Sequence, residues 1–210
     1  MVNRLRFRRL RLWKAEEGIS LTEGPIVFPI MVIVITAIIE FSYGMYQWNQ
    51  ASKTVQLAAR KAAVSCPLAS NFNTVFAFDE ALGGELINAS PTTIAQCGPN
   101  HNNCELDRLD RLVDGVSGSN WPGTKTYFNQ PNFDRDNVVV IYEQSGLGYH
   151  GRPEGPVASL RVELQNLTFE LPIIGTMLGL GTINVPGFPV TVSSEDLKSG
   201  PDDDCAPAGS

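Results

Sequence analysis

The sequence predicts an α+β protein in which a long N-terminal transmembrane and amphipathic helix is followed by a small antiparallel-sheet extracytoplasmic domain. Three observations predict it. Residues 26–46 are almost wholly apolar or aromatic, a run long enough to span a bilayer. Apolar positions then continue at spacings of three and four as far as Ala62. Beyond Cys66 the texture changes to short β-branched runs separated by Gly, Pro, Asn and Ser.

The 210 residues suit one modest domain plus an anchor. The net charge of −6 hides an asymmetry. Residues 1–18 carry Arg4, Arg6, Arg8, Arg9, Arg11 and Lys14 against only Glu16 and Glu17, so the remainder is strongly acidic. A basic arm beside a span sets topology, because Lys and Arg stay on the cytoplasmic side. The acidic remainder has no basic stripe with which to hold phosphates, so no nucleic-acid partner is expected. A secretory signal peptide fits the arm, but the apolar run is long and no small-x-small site follows it closely. Ala63-Val64-Ser65-Cys66 lies too far from the apolar run to serve as a lipoprotein cleavage site.

Between arm and span lies Gly18, with Glu23 five residues further on. A carboxylate in a membrane segment costs about 2.5–3.5 kcal/mol at helix centre and less near the boundary, so it reads as functional. A cut after Gly18 would place the new amine of Ile19 one helical turn from Glu23. Together with Pro29, Ile38-Ile39-Glu40-Phe41 and the alanine-rich stretch from Gln56 to Ala63, this set resembles the TadE/TadG-like minor pilins of tight-adherence (Flp-type) pilus systems. The resemblance covers residues 17–64. It implies a precursor with a basic cytoplasmic leader over 1–18, cut after Gly18 by a prepilin peptidase. It implies that Glu23 of one subunit attracts the free amine of a neighbour, so that the helix enters a polymer. The implied partners are other pilin subunits, the inner-membrane pilus platform and lipid, with no cofactor. The implied location is the inner membrane, crossed once, with the N-terminus cytoplasmic and a role in cell adhesion. The length argues against a major Flp pilin and for a minor pilin or pseudopilin. An uncleaved, single-pass anchored binding module is the alternative.

The helix is expected over residues 19–64, with its transmembrane half at about 25–46. Pro25 and Pro29 remove helix donors and are expected to kink or unwind its first turns. Tyr43, Tyr46 and Trp48 form an aromatic belt at the far interface. Glu40 lies close enough to that belt to snorkel toward headgroups or water. Phe41, Met45, Trp48, Ser52, Val55, Ala59 and Ala62 form one stripe of an amphipathic helix, with Gln47, Gln50, Lys53, Arg60 and Lys61 largely off it; half of the helix is expected in lipid and half packed on a soluble domain or on neighbouring subunits. Pro67 supplies the stop.

The domain is expected over 65–198. Residues 74–88 read as a modest helix broken at Gly83-Gly84. Residues 104–114 read as an amphipathic helix with Leu106, Leu109 and Val113 on one face, stopped by Gly115. Residues 115–135 read as loop, and 138–143 as a strand. Residues 157–171 read as a long strand or a strand pair, and 183–193 as one strand or two divided at Pro186-Gly187. The apolar, glycine-punctuated stretch 171–181 is too short to span a membrane. It reads as core, with a loop buried against a partner as the alternative, because large exposed apolar patches are uncommon. The acidic tail 199–210 is expected to be flexible unless Cys205 pins it.

All four cysteines lie beyond the span, where an even number favours disulfides. Three pairings are open. The preference is Cys97 with Cys104, which closes a short loop and leaves Cys66 with Cys205. A zinc site is disfavoured, because no C-x2-C pair exists and the histidines are His101 and His150 alone. Catalytic signatures are absent from the sequence. Gly115-Val116-Ser117-Gly118 lacks the spacing of a nucleophile elbow. Residues 134–137 place two carboxylates as a calcium loop would, but without its glycine and distal glutamate. Asp107, Asp110 and Asp114 share one side of a helix, where Arg108 and Arg111 are available to neutralise them. The chain is therefore read as structural rather than enzymatic.

Overall fold

A computed structural model describes residues 19–77, 80–98, 103–118, 120–128, 130–152, 157–179, 182–184 and 186–194. The basic arm with Gly18, the tail with Cys205, and His101 lie outside the described residues.

The first element, α1, runs unbroken from Ile19 to Val64. Its 46 residues make a rod of about 69 Å at 1.5 Å per residue. Pro25 and Pro29 both fall inside it, and the helix continues through them. The expected unwinding of the first turns is therefore not observed. Each proline removes only one donor, and the turns on either side keep theirs.

The helix has two environments. Residues from Glu23 to Ile35 are all exposed, and none of the other described residues covers them. From Ala51 onward one face is closed: Ala51, Thr54, Val55, Ala58, Ala59 and Ala62 are all buried. Small side chains on that face let the helix axis approach the sheet beneath it.

That sheet has four antiparallel strands in the order β1-β2-β3-β6. They are β1 (Ser90–Cys97), β2 (Val138–Gln144), β3 (Ser159–Leu164) and β6 (Val190–Ser193). β2 is central and β-branched, and β3 alternates buried and half-exposed residues along its length. The register pairs Val138 with Leu164, Val140 with Val162 and Tyr142 with Leu160. These six side chains are buried in one core with the alanine face of α1. β1 is an edge strand whose pairing shifts between Ser90 and Ile94, around Pro91. An edge bulge is where a strand tolerates proline.

A second, two-stranded sheet joins β4 (Thr168–Glu170) to β5 (Thr182–Asn184). The expected strand pairs at 157–171 and 183–193 thus exist, but each is divided between the two sheets. The helical turns are α2 (Phe72–Val75), α3 (Leu106–Asp114) and α4 (Ile174–Leu178). Among the described residues, the region expected to be a helix over 74–88, broken at Gly83-Gly84, holds only the end of α2 and a short 3-10 turn at Glu80–Leu82. α3 ends where expected, at Gly115 with φ +84°.

Candidate functional site

The chemistry-bearing part of the chain is α1 and what touches it. At its start, Glu23 is exposed and a Cβ added to the adjacent Gly24 would meet nothing within 4 Å. A carboxylate here is open to whatever lies beside the helix. Glu40 lies seventeen residues further on, about 26 Å along the axis, so the two acids form no common site.

Glu40 does not snorkel outward. It is only 6 % exposed, and its Oε1 accepts a hydrogen bond from the Ile173 N–H. Ile173 immediately precedes α4, so the carboxylate satisfies a backbone donor at the start of that turn. The face of α1 that meets the protein in this region is therefore Glu40 and Gln47, both buried. Phe41, Met45 and Trp48, the first members of the expected stripe, are exposed to different degrees. Trp48 does find one partner, the ring of Phe188, edge-on with centroids 4.6 Å apart. A cavity of about 340 Å³ lies between helix and domain, lined by Tyr43, Gln47, Asn132, Asn166, Thr168 and Pro172 among others.

At the far end of α1 the domain is fastened to the rod. The Lys61 ammonium stands 5.0 Å over the Trp121 ring and donates to the Pro122 carbonyl. Burial lowers its pKa from the usual lysine value. Next to Pro122, Gly123 lies so close to the backbone of α3 that a Cβ would stand 2.2 Å from the Val113 carbonyl oxygen. After the Pro67 stop, Leu68 N–H donates to the buried Tyr142 hydroxyl at 3.0 Å. Arg108 reaches the Pro67 carbonyl at 2.8 Å.

Cys97 and Cys104 are bonded, with Cα atoms 4.8 Å apart. The bridge ties the end of β1 to the strand-like pairing of Ala69 with Cys104. Cys66 is also disulfide-bonded. Its expected partner, Cys205, is outside the described residues.

The remaining candidates are structural. Asp134 accepts from the Asp136 N–H while Asn137 accepts from the Asp134 N–H, a reciprocal cap on a 3-10 turn. Asp110 pairs with Arg135 at 2.9 Å, and Asp114 with Lys125 at 3.7 Å. Cations from the following loop, as well as neighbours on α3, are thus available to that acidic side. Among the described residues no group of three His, Cys, Asp or Glu is placed to hold a metal. A second cavity of about 260 Å³ has His150, Arg152, Tyr149 and Phe76 in its wall, but no carboxylate, serine or cysteine among its described lining residues.

Fold and site define a class: an α+β domain carried on one helix that is long and apolar enough to cross a membrane, with a mean hydropathy of 2.3 in its most apolar window. The family model described as TadE-like protein matches residues 18–60, consistent with TadE/TadG-like pilus-associated proteins. That match associates the chain with Tad pilus function, and it covers α1 rather than the domain. No curated protein and no solved structure matches the chain.

Proposed function

We propose that this chain is a minor pilin or pseudopilin-like structural subunit of a tight-adherence pilus. It is processed by a prepilin peptidase after Gly18 and enters the assembly through α1. The observation that carries the reading is the TadE-like match beginning at residue 18, on a helix whose first residues leave Glu23 exposed. A bare carboxylate at a membrane boundary is stabilised by an opposite charge. The free amine of a neighbouring Ile19 supplies one once the leader is gone. The basic arm 1–18 stays cytoplasmic, the acidic domain 65–198 lies outside, and the partners are the peptidase, other pilin subunits and the inner-membrane platform.

Expression in cells with the cognate prepilin peptidase, followed by N-terminal sequencing and intact mass, tests the cut. A chain beginning at Ile19 supports the reading. A chain retaining residues 1–18 sinks it and leaves an uncleaved anchored binding module. Glu23→Ala should then abolish incorporation into pili without changing membrane insertion.

A further inference from the structure

The β4–β5 hairpin carries the apolar stretch 171–179 at its tip, and its side chains Ile173 and Met177 are not core. Ile173 is 53 % exposed and Met177 63 %. No charged side chain occurs from residue 171 through residue 194. The position of the tip along α1 is fixed by two contacts. Phe188, on the return from the hairpin, packs on Trp48, while Ile173 is held at Glu40. Eight residues of helix separate these points, roughly 12 Å at 1.5 Å per residue. The tip therefore descends from the level of the aromatic belt into the level of the apolar run 26–46.

We propose that residues 171–179 form a wedge that inserts into the outer leaflet of the membrane beside α1, with Ile173 and Met177 in contact with lipid acyl chains. The occupant of this exposed face is lipid because the same depth of α1 carries Ile38, Ile39 and Phe41, all exposed and apolar. A backbone entering that layer must have its polar groups satisfied internally. The wedge meets the requirement where hydrogen bonds can be traced. Pro172 has no N–H, Ile173 donates to Glu40, and Thr176 Oγ1 donates to the Pro172 carbonyl at 2.7 Å. Met177 N–H donates to the Ile173 carbonyl, and Gly179, left-handed at φ +70°, closes the turn onto Gly175 and Thr176. In this arrangement Glu40 is the positioning residue that holds the wedge against the span.

The inference rests on the reading of residues 26–46 as a membrane span, and the experiment separates the two. The full chain is reconstituted at one copy per phosphatidylcholine–phosphatidylglycerol nanodisc, so that no second copy can cover the tip. Nitroxides are attached singly at Met177→Cys, at Ile33→Cys within the span and at Tyr127→Cys on the domain, where Tyr127 is 45 % exposed. No described cysteine of the native chain is free to react. Collision with oxygen and with a water-soluble nickel chelate is read by electron paramagnetic resonance. The expected result is that Met177 and Ile33 both favour oxygen, with nickel access severalfold below that at Tyr127. Nickel access at Met177 matching Tyr127, with Ile33 still in lipid, overturns the wedge alone. Shielding of Met177 from both reagents also overturns it, by placing the tip in protein. An Ile33 label in water overturns the span and the wedge with it.

Discussion

Removing one oxygen atom from the domain should cost about a fifth of its stability. Tyr142 and Leu68 are both buried, and the Leu68 N–H has the Tyr142 hydroxyl as its acceptor at 3.0 Å. Tyr142→Phe keeps the ring and its edge contact with Phe72, at 5.0 Å and 72°. The void left is smaller than a water molecule. The cost is therefore the stranded donor, about 1–3 kcal/mol, against the 5–15 kcal/mol typical of a whole domain. With a urea slope of about 2 kcal/mol/M, a 2 kcal/mol loss moves the unfolding midpoint of the micelle-bound full chain down by about 1 M. Tyr127→Phe, at an exposed position, should stay within about 0.5 kcal/mol of wild type. A Tyr142→Phe shift no larger than that control would refute the claim that the helix exit hangs on this bond.

Burial drives the Tyr142 phenol well above its usual pKa of about 10, despite the opposing Leu68 bond and the nearby Arg108 charge. Its contribution is fully present below pH 10. It falls as pH rises beyond that, because the unfolded chain loses the proton and the folded one does not. Wild type should thus lose about 1.4 kcal/mol per pH unit above 10 from this group, and the gap to Tyr142→Phe should narrow in urea titrations between pH 10 and 11. Gly123→Ala forces a Cβ within 2.5 Å of three backbone atoms of Val113, Asp114 and Gly115. It should cost about 3 kcal/mol, the upper end for overpacking, and lower the thermal midpoint; an unchanged midpoint would mean that the loop yields freely. Cys97→Ser with Cys104→Ser opens a loop of seven-residue separation. It should cost about 2–3 kcal/mol in non-reducing chemical denaturation.

The parts of the fold that could be read from the sequence are those where burial follows hydrophobicity. β2, β3 and α3 announce themselves by β-branching, alternation and the Gly115 stop. The short Cys97–Cys104 loop was the preferred pairing and is the observed one. β1 escaped notice because Pro91 and its neighbours look like turn formers, which an edge bulge accommodates. The packing face of α1 around residues 40–48 reads in the opposite sense from a soluble helix. There the apolar Phe41 and Met45 face outward, while Glu40 and Gln47 face the protein. A pattern rule that equates apolar with buried inverts wherever lipid is the solvent. The partner of Glu40 had no signature at all, being a main-chain amide 133 residues away. Lys61 over Trp121 is legible only once the loop is folded back on the helix.

Because α1 passes without interruption from Glu23 to its alanine face, the domain is geared to the span. Each residue turns a helix by about 100° and advances it by 1.5 Å. Adding a single residue between Ile35 and Glu40 would swing the whole domain by more than a quarter of a circle relative to Glu23. Adding seven would restore the azimuth to within about 20° and raise the domain by about 10 Å. The spacing between the N-terminal carboxylate and the buried alanines is thus a setting of angle and height, and changes of seven residues should be tolerated where changes of one are not.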